Sequence, residues 1–167
     1  AETFKSNGYL VVGIDLNNKN TGCSDIFIPF DLDQYCVNQE YWNEMNEVLV
    51  KKIPTLNVLI NNAAIQILGK TEDIKLGEWS QTLNVNLTAP FLLSQFFLKK
   101  LENTKGCIIN ISSIHQQLTK KRFVSYATSK AALVGLTKSM SVDLQGIVRV
   151  NSISPAAIDT PMLHDGF

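Results

Sequence analysis

Tyr126 and Lys130 lie four residues apart in VSYATSKAALVGL, residues 124–136, a stretch that otherwise reads as a buried helix. Positions i and i+4 of an α-helix share one face, with Cβ atoms about 5–6 Å apart, so a phenol and an ammonium stand side by side. A free phenol, with a pKa of about 10, is a poor base near neutrality, and a neighbouring cation favours its ionised form. Such a pair can carry a proton near neutral pH if the cation lowers the phenol's pKa. The alternative is an amphipathic rim in which the lysine head is simply solvated.

Five short runs rich in valine and isoleucine must position this pair: YLVVGID at 9–15, DIFIPF at 25–30, NVLINNA at 57–63, GCIINISS at 106–113 and VRVNSIS at 148–154. Between them, segments 37–53, 76–103 and 124–144 carry apolar residues at spacings of three and four, which predict helices. Strands that alternate with helices and are apolar at nearly every position predict an α/β, doubly wound parallel sheet covered on both faces. The length of 167 residues and an apolar share of 45% predict one domain spanning 1–167, with no repeat or linker to divide it. In such sheets ligands bind beyond the carboxyl ends of the strands, so the residues there should line the site.

Composition removes several classes of partner. Fifteen basic and fifteen acidic side chains cancel, and the densest basic cluster is KKR at 120–122, which argues against nucleic acid and anionic membranes. Cys23, Cys36 and Cys107 are odd in number and lack CxxC spacing, so reduced thiols, a cytoplasmic setting and no metal centre are expected. No apolar run approaches the about 20 residues of a membrane span, and the opening AETFKSNGYL lacks the basic and apolar segments of a signal peptide.

The strand ends are Asp15, Asp31, NNAA at 61–64, SS at 112–113 and SPAAIDTP at 154–161. An acidic residue closing the second strand of a dinucleotide fold accepts hydrogen bonds from the adenosine ribose and repels a 2′-phosphate, so Asp15 favours NAD over NADP. Its plain alternative is a loop aspartate capping a turn. NNAA sets amides and small residues where backbone can approach a ligand, or forms an ordinary Asn-rich turn.

Together these pieces resemble the short-chain dehydrogenase/reductase family, from the first residue to about residue 163, through VVGID, FDL, LINNAA, LNVNLTAPF, IINISS, YATSK and VRVNSISPAAIDTPM in order. The resemblance implies a Rossmann-like oxidoreductase that moves a hydride between NAD(H) and a secondary alcohol or ketone. It implies catalytic roles for Asn86, Ser113, Tyr126 and Lys130, with Ser113 preferred to Ser112 because it lies thirteen residues before the tyrosine. Tyr126 would carry the proton, Lys130 would lower its pKa and bond the nicotinamide ribose, Ser113 would hold the reacting oxygen, and Asn86 would organise a water. Asp15, Asp31 and Leu32 would meet the adenosine; Asn62, Ala63 and Ala64 would line the cofactor; Pro155, Ile158 and Thr160 would contact the nicotinamide. Ser113, His115 and Tyr126 would face the substrate. Taken singly, each has a plainer alternative: a cap for the serines, a buried amide at a helix bend for Asn86, a surface position for His115.

The sequence also departs from the family. No GxxxGxG occurs, and the chain opens at what resembles the tail of the first helix and stops before the family's substrate-covering helix and last strand, so a fragment or the ordered part of a longer enzyme is expected. The missing strand would lie between those ending at Asp15 and Asn62. Ala156 stands where glycine commonly follows the proline, and DLQGIVRV is slightly short. Gln66, His115, Gln116 and Gln117 suit a sugar or polyol better than a steroid or long acyl chain, unless they are only a solvated loop. Rival readings are an NADPH-dependent ketoacyl reductase, disfavoured by Asp15, and a non-catalytic dinucleotide sensor, favoured by the absent glycine turn and opposed by Tyr126 and Lys130. Segments 79–101 and 125–144 are apolar on more than one face, with Phe91, Phe96 and Phe97, and predict a homodimer or homotetramer.

Overall fold

The computed structural model describes residues 1–17 and 23–165. Two compact units are distinguished, Ala1–Pro54 and Thr55–Phe167, and each is built on its own parallel sheet. Among the described residues, no helix is long and apolar enough to cross a membrane.

The first unit runs α1 (Glu2–Ser6), β1 (Val12–Asp15), β2 (Ile26–Pro29), α2 (Leu32–Val37) and α3 (Gln39–Lys52). β1 and β2 pair in parallel from Val12 opposite Ile26 to Asp15 opposite Pro29. α3 buries Met45 and Leu49, four residues apart on one face, and joins Ile28, Phe30 and Tyr35 in the core. Both helices start on side-chain caps: Asp31 accepts from the Asp33 and Gln34 amides, and Asn38 from those of Glu40 and Tyr41.

The second unit runs β3 (Val58–Asn61), α4 (Leu76–Leu83), a π-helical turn (Asn84–Thr88), α5 (Ala89–Asn103), β4 (Cys107–Ile111), α6 (Val124–Asp143), β5 (Arg149–Ile153) and α7 (Pro161–Asp165). Its strands lie in the order β3-β4-β5, all parallel, so their carboxyl ends share one edge. α5 packs on β3 and β4, and α6 on β4 and β5, around Leu93, Phe97, Leu101, Ile108 and Leu133. Gly106 admits β4 beside β3, because a Cβ there would run into the Asn57 carbonyl. The short 144–148 connection closes on Gly146 at φ +79°, with the Ile147 and Val148 amides both donating to the Leu144 carbonyl.

The α/β class and the parallel pairing agree with the sequence. The pairing is divided, however: among the described residues β1 pairs with β2, and β3 with β4, so there are two sheets where one is expected.

Candidate active site

β4 delivers two serines that do different work. Ser112 Oγ donates to the Lys130 carbonyl at 2.9 Å, fastening the strand end to α6. Ser113 instead shares a hydrogen bond with the Tyr126 phenol, and its Oγ accepts from the His115 amide at 3.2 Å. Tyr126 and Lys130 both lie on the buried face of α6, at 7% and 2% exposure. The three side chains that the family resemblance groups at the strand end are thus brought together, and the pair does not form a solvated rim.

The electrostatics differ from expectation. Burial pushes the Tyr126 phenol above its ordinary pKa, and the Ser113 hydrogen bond opposes this. Lys130 Nζ donates to the Ile111 carbonyl at 2.8 Å and lies 5.8 Å from the centre of the tyrosine ring. Burial also holds the lysine itself down to about 8. The head is drawn to a strand carbonyl because that acceptor offsets part of its desolvation.

Asn86 sits in the π-helical turn at 1% exposure. Its Oδ1 accepts from the Ile65 amide at 2.9 Å, and its Nδ2 donates to the Ile65 carbonyl at 2.9 Å and to Ser129 Oγ at 3.0 Å. Both amide protons are engaged, so this side chain ties the loop after β3 to a helix bend and to α6, and has no N–H to give a water. Ser129 Oγ in turn donates to the Tyr126 carbonyl at 2.7 Å.

His115 stacks on Phe123 with ring centres 4.4 Å apart and meets Tyr126 edge-on at 6.1 Å. Burial and the nearby Lys120 lower its pKa, opposed by a hydrogen bond with the Leu118 backbone, and its Nδ1 is buried without a hydrogen-bond partner. Phe123 follows Arg122, whose φ of +72° is left-handed and whose carbonyl is held by the Gly69 amide at 3.0 Å. That conformation costs a non-glycine residue about 1–2 kcal/mol and sets the entry to α6.

Of the proposed cofactor residues in this unit, Asn62 and Ala63 are exposed and Ala64 is half-buried just beyond β3. The Pro155 carbonyl accepts from the Ile114 amide at 2.9 Å, while Ile158 and Thr160 are exposed, with Thr160 Oγ1 donating to the Ile158 carbonyl at 3.3 Å. Ala156 does not have the left-handed backbone that would require glycine. Gln66 is taken up internally: its Nε2 donates to the Met162 carbonyl at 3.1 Å.

In the first unit Asp15 is exposed at the end of β1, where its Oδ1 accepts from the Asn17 amide at 3.2 Å. Asp31 caps α2, which Leu32 begins, and its own amide donates to Tyr41 Oη at 2.8 Å.

A buried polar relay supports the strand ends. Asn61 Nδ2 donates to Asn110 Oδ1 at 2.8 Å and, at 3.4 Å, to Ser94 Oγ on α5; Asn110 Nδ2 donates to Thr137 Oγ1 on α6 at 2.9 Å. Asn110 and Thr137 carry no sequence signal beyond being polar in apolar surroundings, and that mismatch is how they could have been found.

The model for short chain dehydrogenases matches residues 5–166. This chain belongs to that family. Among its relatives, trans-4-hydroxycyclohexanecarboxylate dehydrogenase of Sinomonas cyclohexanicum is 36% identical over 82% of this chain and 52% of its own length. A 3-alpha-(or 20-beta)-hydroxysteroid dehydrogenase of Mycobacterium tuberculosis is 41% identical over 72% of this chain and 47% of its own. The short-chain dehydrogenase chain described here therefore spans about half the length of these curated relatives. Among solved structures, 4-hydroxyisoleucine dehydrogenase complexed with NADH and succinate matches with a TM-score of 0.81 at 31% identity, covering 98% of this chain and 78% of that one. The ligand-free aldohexose dehydrogenase of Thermoplasma acidophilum matches with a TM-score of 0.88 at 30% identity, covering 99% and 64%. These likenesses establish a Rossmann-like α/β fold for this member of the family.

Proposed function

We propose that this short-chain dehydrogenase chain belongs to an NAD(H)-dependent oxidoreductase acting on a secondary alcohol or its ketone. The observation that carries the reading is the convergence of Ser113, Tyr126 and Lys130 at the carboxyl end of β4. Relatives named for hydroxyl-bearing substrates and a neighbour complexed with NADH support it.

The chain's own groups suit the dinucleotide. Lys130 is a buried ammonium with no carboxylate partner among the described residues, ready to bond a ribose hydroxyl, and exposed Asn62 and Ala63 leave backbone accessible. Asp15 and Asp31 would meet the adenosine, Asp15 selecting NAD over NADP, while Pro155, Ile158 and Thr160 would meet the carboxamide. A bound nicotinamide supplies the hydride acceptor or donor. Tyr126 moves the proton at the substrate oxygen, which Ser113 steadies, and Lys130 favours the phenolate once its head leaves the Ile111 carbonyl.

His115 offers the substrate an imidazole beside Ser113, and its unpartnered Nδ1 suits a second substrate hydroxyl. The polyol reading rests on that group and on Gln116, since Gln66 is engaged elsewhere. We also infer that the two units together form one dinucleotide-binding domain, that the protein works in the cytoplasm, and that it is a homo-oligomer. Phe91, 40% exposed on α5, supports the last point. Assay of the full-length protein with NAD and NADP over a panel of polyols, hydroxy acids and hydroxysteroids tests the reading. NAD-linked turnover is expected, and equal use of NADP would remove the role given to Asp15.

A further inference from the structure

The loops leaving β3 and β5 emerge from the two outer strands of a three-stranded parallel sheet, at the same edge and on either side of β4 with its serines. A side-chain amide joins them, Gln66 Nε2 donating to the Met162 carbonyl at 3.1 Å. The two partners are unequally braced. Around Gln66 the backbone is pinned residue by residue: Ile65 by both polar ends of Asn86 at 2.9 Å, Ile67 by Ser125 Oγ at 3.2 Å, and Gly69 by the Arg122 carbonyl at 3.0 Å.

Met162 belongs instead to one turn, in which the Leu163 and His164 amides donate to the Thr160 carbonyl at 2.9 and 3.3 Å. An exposed contact between His164 and Asp159 at 2.9 Å closes the turn on itself. The hydrogen bonds within this turn are all local, so a bond to a rigid neighbour fixes its place.

We propose that Gln66 is a positioning residue: its amide clasps the segment after β5 and presets Pro155, Ile158 and Thr160 before the nicotinamide arrives. This rests on the dinucleotide role proposed above for that segment. The clasp lowers the ordering cost of binding, so it acts on cofactor affinity and leaves the proton-transfer step alone. A glutamate of the same length cannot replace it, because a carboxylate has no N–H to give the Met162 carbonyl.

The test uses the full-length protein with Gln66→Ala and Gln66→Glu. Hydrogen exchange without added nucleotide should accelerate about fivefold to tenfold at Leu163 and His164, as expected for the loss of one hydrogen bond, with Ile65 and Gly69 unchanged. The KM for NAD should rise by about the same factor in both variants while kcat stays within about twofold. Unchanged exchange at Leu163 and His164 would overturn the clasp, and faster exchange with an unchanged KM would overturn its role in positioning. A wild-type protein that bound no dinucleotide would refute the functional reading itself, and it would do so independently of the exchange result.

Discussion

The two units spend their polar residues differently. In Ala1–Pro54, Asp15 and Asp31 serve neighbours two or three residues away, as turn and helix caps near the surface. In Thr55–Phe167 a set of polar residues from β3, β4, the π-helical turn and α6 is buried and bonds across the fold: Asn61, Asn110, Thr137, Asn86, Ser129, Ser112 and Lys130 are each 8% exposed or less. A local cap is interchangeable with other caps, whereas a buried relay has one set of partners and a penalty for every one removed. Rigidity is therefore concentrated in the second unit: the side chains proposed for catalysis stand on a scaffold that cannot shift without breaking several buried bonds, whereas Asp15 and Asp31, proposed to meet the adenosine, lie close to solvent.

Among the scaffold residues, the largest effect should come from the charged one that the second unit buries, Lys130. Lys130→Ala is expected to lower kcat/KM for the best alcohol by about 10²-fold or more and to raise the KM for NAD, because in the proposed function it removes both the ribose donor and the cation beside the phenol. A pH series separates this role from stability. The lysine's pKa falls from 10.5 to about 8 on folding, so between those values the unfolded chain binds more protons and folding strengthens as pH rises. Wild-type Tm should therefore gain on that of Lys130→Met from pH 8 to pH 10, and a constant difference would show that burial of the charge costs nothing.

Next in size is the relay. Asn110→Ala leaves Asn61 Nδ2 and Thr137 Oγ1 short of a partner and should cost roughly 2–3 kcal/mol by denaturant titration. By contrast Asp31→Ala, which removes the α2 cap in the first unit, should cost only about 1 kcal/mol. If the two losses were equal, the contrast between a long-range relay and local caps would fail.

What could be read in the sequence follows the same division. The five strands were legible because apolar β-branched runs are a local signal, and they lie at 12–15, 26–29, 58–61, 107–111 and 149–153, within the runs that predict them. The short helix α2 was missed in FDLDQYC, although Asp31 three residues before Gln34 resembles a helix start. The segment 76–103 reads as one helix, and nothing in its periodicity marks the π-helical turn at 84–88 that sets Asn86 against Ile65. The spacing of Ser113, Tyr126 and Lys130 was legible; the turning of the lysine to the Ile111 carbonyl and of Gln66 to Met162 was not, since both depend on chain brought near by the fold.

The central claim is that Tyr126 is the proton carrier held in place by this buried scaffold. Tyr126→Phe in the full-length protein tests it most directly, with NADH binding followed by fluorescence and turnover followed by NADH formation on the best alcohol. Loss of one oxygen leaves the ring packed against Phe123 and His115, so binding and Tm should stay close to wild type while kcat falls by about 10²- to 10⁴-fold. Retention of most of the turnover would contradict the account.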